Sequence, residues 1–510
     1  MSFAQRCGVH GAARQAASQA VLRRVQEAGV QQVRVSWADL HGTLRGKTLV
    51  CGDSLRAVTD ALDGGIGMVG TVLLKDTSDR TAFKIFEPGA MAGPGGADRG
   101  HGAGGAGPAV GLERFAAAAN VQLLPDPASF TLLPWAPGTA WLRAEPFWGD
   151  GSPVAVDPRR VLQRALAALA GQGLALQCGL EIEFHIYRIA DERLAPEDSA
   201  WPAEPPALRL IHPGYHLLAE AHADMADEAL ALVRRTALGL GLPLRSMEIE
   251  LGPSQVEAVF APTDALTAAD QMVMFRNGVR QALRRAGYHA SFVCRPPLPQ
   301  AIASGWHLHQ SLQRPDGSNA MAVATAAGGD TGSVLSDTGA NWLAGLLAHA
   351  SGMAALCAPT LPAYSRYQGS VMAPQCAVWG RDNRGAMLRV VGGAADAGGG
   401  AATRIENRLG EPLANPYLAI AAQVFAGLDG LQRRLQPGPA TEDPYAPGQP
   451  LLPITLAAAL HALDADAVLQ QGLGADMARV FATTKRQEIA RHAQAVDPAL
   501  WERREYFSRY

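Results

Sequence analysis

The chain has no paired cysteines, no block of like charge and no long apolar run, and each absence removes a class of protein. Its six cysteines, Cys7, Cys51, Cys178, Cys294, Cys357 and Cys376, lie far apart without a Cys-x-x-Cys pair. Neither a disulfide scaffold nor a zinc ribbon is indicated, and a reducing cytoplasm fits best. Lysine is scarce, the arginines are scattered, and the formal net charge is only −3. Such a chain presents no cationic stripe for nucleic acid or for an anionic membrane. Stretches such as VLQRALAALAGQGLAL are too short and interrupted to span a bilayer, and MSFAQRCGVHG lacks the apolar run of a signal peptide. The expectation is a soluble cytoplasmic protein that binds neither nucleic acid nor membrane. At 510 residues it can bury a large core and is expected to hold at least two domains.

Residues from about Ala12 to Ala28 have helical periodicity, and VQQVRVSWADLHGTLRGKTLV alternates as two strands about a turn at His41–Gly42. EPGAMAGPGGADRGHGAGGAGPAVG follows, a glycine-rich insertion at about 88–111 that reads as a mobile loop. QLLPD, TLLPW and AWLRAEPF read as strands, VDPRRVLQRALAALAGQG as a helix and LALQCGLEIEFHIYRI as a strand. A domain boundary is placed near Gly151, dividing 1–150 from 151–510. Strands and helices alternate beyond it, to a charged helical tail ending in WERREYFSRY.

Side chains at i and i+2 of a strand share a face. Glu181 and Glu183 in GLEIEFHIYRI therefore project together, with Ile182 and Phe184 on the opposite, core-facing side. His307 and His309 in SGWHLHQSL form a second pair, and Arg404, Glu406 and Arg408 in TRIENR a third set. Adjacent like charges are unfavourable without a counter-ion, so paired carboxylates point to a metal and paired arginines to phosphate or carboxylate. EIELGPSQVEAVF adds Glu250 and Glu257 across a Gly-Pro-Ser turn. Glu181, Glu183, Glu250, Glu257, Glu406 and His307 are a hard donor set suited to magnesium or manganese rather than zinc or copper. GRDNRGAMLRV contributes Arg384 and Arg389, whose guanidinium forks match phosphate oxygens. The chemistry inferred from these residues is metal-assisted phosphoryl transfer.

The ordered series GLEIEF, ELGPSQVE, SFVCRPP, SGWHLHQSL, APTLPAYSR, DNRGAMLRV and RIENRLGEPLANPYLAIAA resembles glutamine synthetase, and the likeness extends over nearly the whole chain. The resemblance implies an α+β protein with an N-terminal β-grasp domain and a catalytic domain built on a curved antiparallel sheet. It also implies homo-oligomers of stacked rings, a dodecamer, with active sites between neighbours. Carried over by motif, Glu183, Glu250 and Glu257 would hold one metal beside the reacting carboxylate. Glu181, His307 and Glu406 would hold a second on the nucleotide phosphates. Arg384 and Arg389 would bind the phosphates and the group in transfer, and Arg404 would lie by the nucleotide. His309 and Ser311 would support the phosphate site, and Arg366 and Arg408 would receive substrate carboxylates. The activity implied is ATP-dependent joining of a carboxylate, glutamate by resemblance, to an amine through an acyl phosphate, with Mg2+ or Mn2+.

Three segments depart from the pattern. The family's acidic residue in the N-terminal Phe-Asp-Gly-Ser-like turn aligns with Val69, and its flap glutamate aligns with Met372. A cation in a dry pocket without counter-charge is costly, so these replacements favour an alkyl or aryl amine over ammonium. Asn-Gly before the histidine motif reads Ile302-Ala303, and the Asn-Ser-Tyr-Lys-Arg stretch reads Pro362-Ala363-Tyr364-Ser365-Arg366, which alters the carboxylate side. Tyr445 in EDPYAPG falls near the loop where some bacterial members carry an adenylylated tyrosine. Its flanks do not match, and it is read as an ordinary loop tyrosine.

Overall fold

The computed structural model describes residues 1–52, 54–87, 112–323, 334–367, 372–393 and 400–510, so the glycine-rich stretch at 88–111 lies outside the described residues. The alternating segment forms the hairpin β1 (Gln32–Ala38) and β2 (Leu44–Val50). Its turn is fixed by Asp39, whose carboxylate accepts the backbone N–H groups of His41 and Thr43, each at 2.9 Å. β3 (Ile66–Val69), β4 (Asn120–Pro125), β5 (Thr131–Leu132) and β6 (Thr139–Phe147) complete a small mixed sheet in which β6 runs parallel to β1. The TLLPW segment yields only the two residues of β5, because the chain turns at Leu133–Ala136 to enter β6.

A second sheet of nine strands carries the rest of the chain. It comprises β7 (Ala175–Asp191), β8 (Ala207–Leu210), β9 (Leu244–Ile249), β10 (Gln255–Asp264), β11 (Tyr288–Ser291), β12 (Trp306–Gln313), β13 (Trp379–Arg381), β14 (Leu388–Val391) and β15 (Arg404–Gly410). The main path is β13-β14-β15-β12-β7-β10-β9, with β8 and β11 also paired to β7. Every pair is antiparallel except β13 with β14. That parallel edge departs from the wholly antiparallel sheet expected. Asn383 binds the Glu442 carbonyl at 3.1 Å and caps the N–H of Gly385, so the chain loops outward before returning in its original direction.

One face of β7 is apolar: Leu180, Ile182, Phe184 and Ile186 are buried. Phe184 stacks on Phe292 at 4.8 Å and meets Phe275, on the helix Ala265–Arg285, edge-on at 5.8 Å. The other face is therefore free to hold polar groups. The same helix joins the two sheets: Arg276 donates to the His41 carbonyl in the hairpin turn and to the carbonyls of Pro412 and Ala414 beyond β15. All six cysteines are free thiols. No helix among the described residues is long and apolar enough to cross a membrane.

The charged tail is partly internal. Glu505 is fully buried and accepts hydrogen bonds from Thr77, Ser78 and Arg491, while Arg491 also reaches Asp76 at 3.1 Å. Burial alone would raise the Glu505 carboxyl, but these donors hold it below its ordinary value. Its stabilising contribution is thus complete above the unfolded value of about 4.3 and is lost as pH falls through the folded one. Glu505→Gln is expected to lower stability at pH 7 by about 3 kcal/mol, and thermal scans should show the gap to the native chain narrowing in acid.

Candidate active site

Register brings the charged residues of separate strands side by side. Opposed pairs are Arg389 with Glu406, Glu406 with His309, His307 with Glu181, and Glu183 with Glu257. A polar row thus crosses β14, β15, β12, β7 and β10 on the face opposite the Phe184 core. Glu250 joins it from the turn after β9, where its N–H bonds the Gln255 carbonyl at 3.0 Å.

Two groups of ligating atoms result: Glu181, His307 and Glu406, and Glu183, Glu250 and Glu257. Within each, the donor atoms lie within 4.8 Å of one another. The groups differ in charge balance. Glu406 is fully buried, but Arg389 donates to its Oε2 at 2.8 Å and Arg408 to its Oε1. Burial would raise its carboxyl; His307 and the guanidiniums bring it down to about 2. Burial likewise opposes ionisation of Glu181, and hydrogen bonding with His307 and His309 more than offsets it. In the second group burial raises all three carboxyls; the charge of Glu250 adds to the effect on Glu183, and the charges of Glu183, Glu181 and Glu250 add to it on Glu257. Fully ionised, that group would hold more negative charge than the protein around it balances.

Burial pushes the His307 imidazole down to about 4, so it is neutral at pH 7 with a lone pair to offer. Its Nδ1 faces Glu181 Oε2 at 3.4 Å and Glu406 Oε1 at 3.7 Å. Arg404 donates to His309 Nδ1 at 3.0 Å, so Nδ1 serves as the acceptor and Nε2, 2.9 Å from Glu181 Oε1, carries a proton. A donor set of carboxylates and one neutral imidazole, with surplus negative charge in one group when it is ionised, fits magnesium or manganese.

Arg366 is buried, donating from Nη1 to the carbonyls of Arg408 and Gly410, with Nη2 3.5 Å from His307 Nε2. Gly305 makes this approach feasible. A Cβ there would stand 2.5 Å from Arg366 Nη2 and 2.9 Å from His307 Nε2, while the Gly305 N–H donates to Glu183 at 2.8 Å. Ser311, His309 and Arg404 line a cavity of about 350 Å³ with Arg245 and Gln177. Arg384 is not drawn into the cluster. It is exposed on the turn between β13 and β14 and makes no hydrogen bond or ion pair among the described residues. Met372 and Val69 are both exposed, Val69 at the end of β3 and Met372 beside Arg408, which donates to its carbonyl at 3.3 Å.

Sequence reasoning missed Gln255 and Asp382. Gln255 donates to Glu183 at 3.3 Å and to Ser304 at 3.0 Å, and accepts the Gly252 N–H, tying the Glu250 turn to the cluster. Its i, i+2 relation to Glu257 could have revealed it. Asp382 accepts from Arg389 Nε at 2.9 Å and orients that guanidinium, a partnership made across a turn that no periodicity signals.

Carboxylate clusters set against a row of arginines form a donor set that could hold cations beside an anion. Residues 155–506 match the family profile described as glutamine synthetase, catalytic domain. The chain belongs to the glutamine synthetase family. It is 35% identical over 506 residues to a gamma-glutamylanilide synthase of Acinetobacter, with 96% of each chain covered. A gamma-glutamylethanolamide synthetase of Streptomyces coelicolor is 33% identical over 390 residues, 75% of this chain and 78% of the relative. Among solved structures, a GmaS–ADP complex superposes with a TM-score of 0.72 at 29% identity, covering 95% of this chain and 98% of that one.

Glu257→Gln removes one of the mutually repelling carboxylates. In metal-stripped protein the substitution is expected to raise the thermal midpoint; in excess Mn2+ it should lower it. Titration calorimetry should show Mn2+ binding weakened by at least about tenfold, the loss seen even for residues that only support a ligand. A lower midpoint without metal would refute the charge-surplus account.

Proposed function

We propose that this enzyme joins glutamate to an organic amine, forming a γ-glutamylamide with cleavage of ATP. The observation that carries the reading is Met372, an exposed apolar side chain beside Arg408 where the resemblance calls for an ammonium-binding carboxylate. The relatives named for an anilide and an ethanolamide support it.

In this reading Arg366 and Arg408 hold the carboxylates of glutamate, and Arg384, Arg389, Arg404, His309 and Ser311 hold the nucleotide phosphates. Mg2+ or Mn2+ held by Glu183, Glu250 and Glu257, and by Glu181, His307 and Glu406, would neutralise charge on the carboxylate and phosphate oxygens. The glutamate side-chain carboxylate attacks the γ-phosphorus, ADP leaves, and an acyl phosphate forms. The amine nitrogen then attacks the acyl carbon, expelling phosphate and losing a proton. The chain's contribution is mainly positioning and charge: Asp382 and Glu406 fix the Arg389 fork, and Gln255 and Gly305 fix Glu183. Arg384, being exposed, is free to close on bound phosphate. The assembly is read as stacked rings in which a neighbouring copy brings its Val69 to the amine end of the site.

Steady-state ATP hydrolysis with glutamate and a panel of alkyl and aryl amines should exceed that with glutamate and ammonium, with the amide identified by mass spectrometry. Full activity with ammonium alone would overturn the reading. Met372→Glu is expected to shift preference toward ammonium by about tenfold, the scale of one well-placed charge.

A further inference from the structure

Met372 has a backbone conformation that needs external support. Its φ is +76°, in the left-handed region that non-glycine residues enter only at a cost. Such a conformation persists where surrounding contacts over-determine it. Here the Tyr445 hydroxyl accepts the Met372 N–H at 2.9 Å and donates to the Ala373 carbonyl at 3.2 Å. The Met372 carbonyl accepts from Arg408. The tyrosine hydroxyl thus uses its proton and a lone pair on two successive backbone groups.

Tyr445 is itself held firmly. Its N–H donates to Asp443 at 2.9 Å, the Thr441 N–H reaches the Trp379 carbonyl at 2.9 Å, and the Ala377 N–H reaches Pro450 at 2.7 Å. The ring also lies against the turn that carries Arg384. A Cβ on Gly385 would stand 3.0 Å from both the Tyr445 hydroxyl and its Cε2. Asn383 in that turn donates to the Glu442 carbonyl at 3.1 Å. One side chain therefore touches the Met372 segment and the Arg384 turn together.

We propose that Tyr445 is a positioning residue for amine selection: through its hydroxyl it holds the Met372–Ala373 backbone against Arg408, and through its ring it registers that segment with the Arg384 turn. The selection part rests on the amine-ligase reading; the backbone clamp does not.

Tyr445→Phe removes the two hydrogen bonds and keeps the ring. Deuterium exchange at the Met372 amide should accelerate about fivefold, the effect of losing one hydrogen bond. KM for the preferred amine should rise by a similar factor, about fivefold, while KM for ATP and the thermal midpoint stay unchanged. Gly385→Ala, which crowds Pro444 and the Tyr445 ring together, should raise KM for both amine and ATP. Unchanged exchange in Tyr445→Phe overturns the clamp, and faster exchange with unchanged amine KM overturns its role in selection. If the native enzyme uses no organic amine, the ligase reading fails, amine selection falls with it, and exchange alone decides the clamp.

Discussion

Like charges forced together on one face of a sheet set the terms for the rest of this structure. Glu183, Glu250 and Glu257 bring ligating oxygens within 4.8 Å of one another in a half-dry site, where mutual repulsion and lost hydration both oppose ionisation. A fold can tolerate that only if it stabilises the strands by other means, and a bound cation would relieve the repulsion further. The opposite face of β7 supplies the first condition, with Ile182, Phe184 and Ile186 fully buried against an aromatic cluster. The neighbouring group shows how charge is handled where protein does balance it. Glu406 lies between Arg389 and Arg408 and stays ionised despite complete burial.

The in-strand part of this arrangement was legible in the sequence because a strand has a strict period of two. Glu181 with Glu183, His307 with His309, and Arg404 with Glu406 and Arg408 could be assigned to shared faces from spacing alone. Hairpin, helix starts and β7 were legible for the same reason, since burial on one side leaves an alternating or helical pattern. Lateral register was not: nothing local states that Glu183 lies opposite Glu257 or His307 opposite Glu181. The motif resemblance supplied that grouping. Gln255 and Asp382 escaped notice because their roles are to hold other side chains across turns. The parallel edge of β13 and β14 escaped because it depends on Asn383 binding a carbonyl some sixty residues away along the chain, at Glu442.

The choice of amine follows from the same electrostatics. An ammonium ion needs fixed anions to leave water, and carboxylates that attract it would add to the repulsion in a cluster whose members already resist ionisation. In the proposed amine-ligase reading, Val69 and Met372 align with those carboxylates, and the attraction and the added repulsion are lost together. An arylamine is uncharged at neutral pH; it can enter an apolar pocket without a counter-charge and without surrendering a proton before attack. An alkylamine arrives protonated and would still need a base. On physical grounds the substitutions therefore favour weakly basic amines most, alkylamines less, and ammonium least. In this proposal Met372 enforces that order only while its backbone stays fixed, so selectivity would depend on a loop held by hydrogen bonds as well as on the side chain it presents.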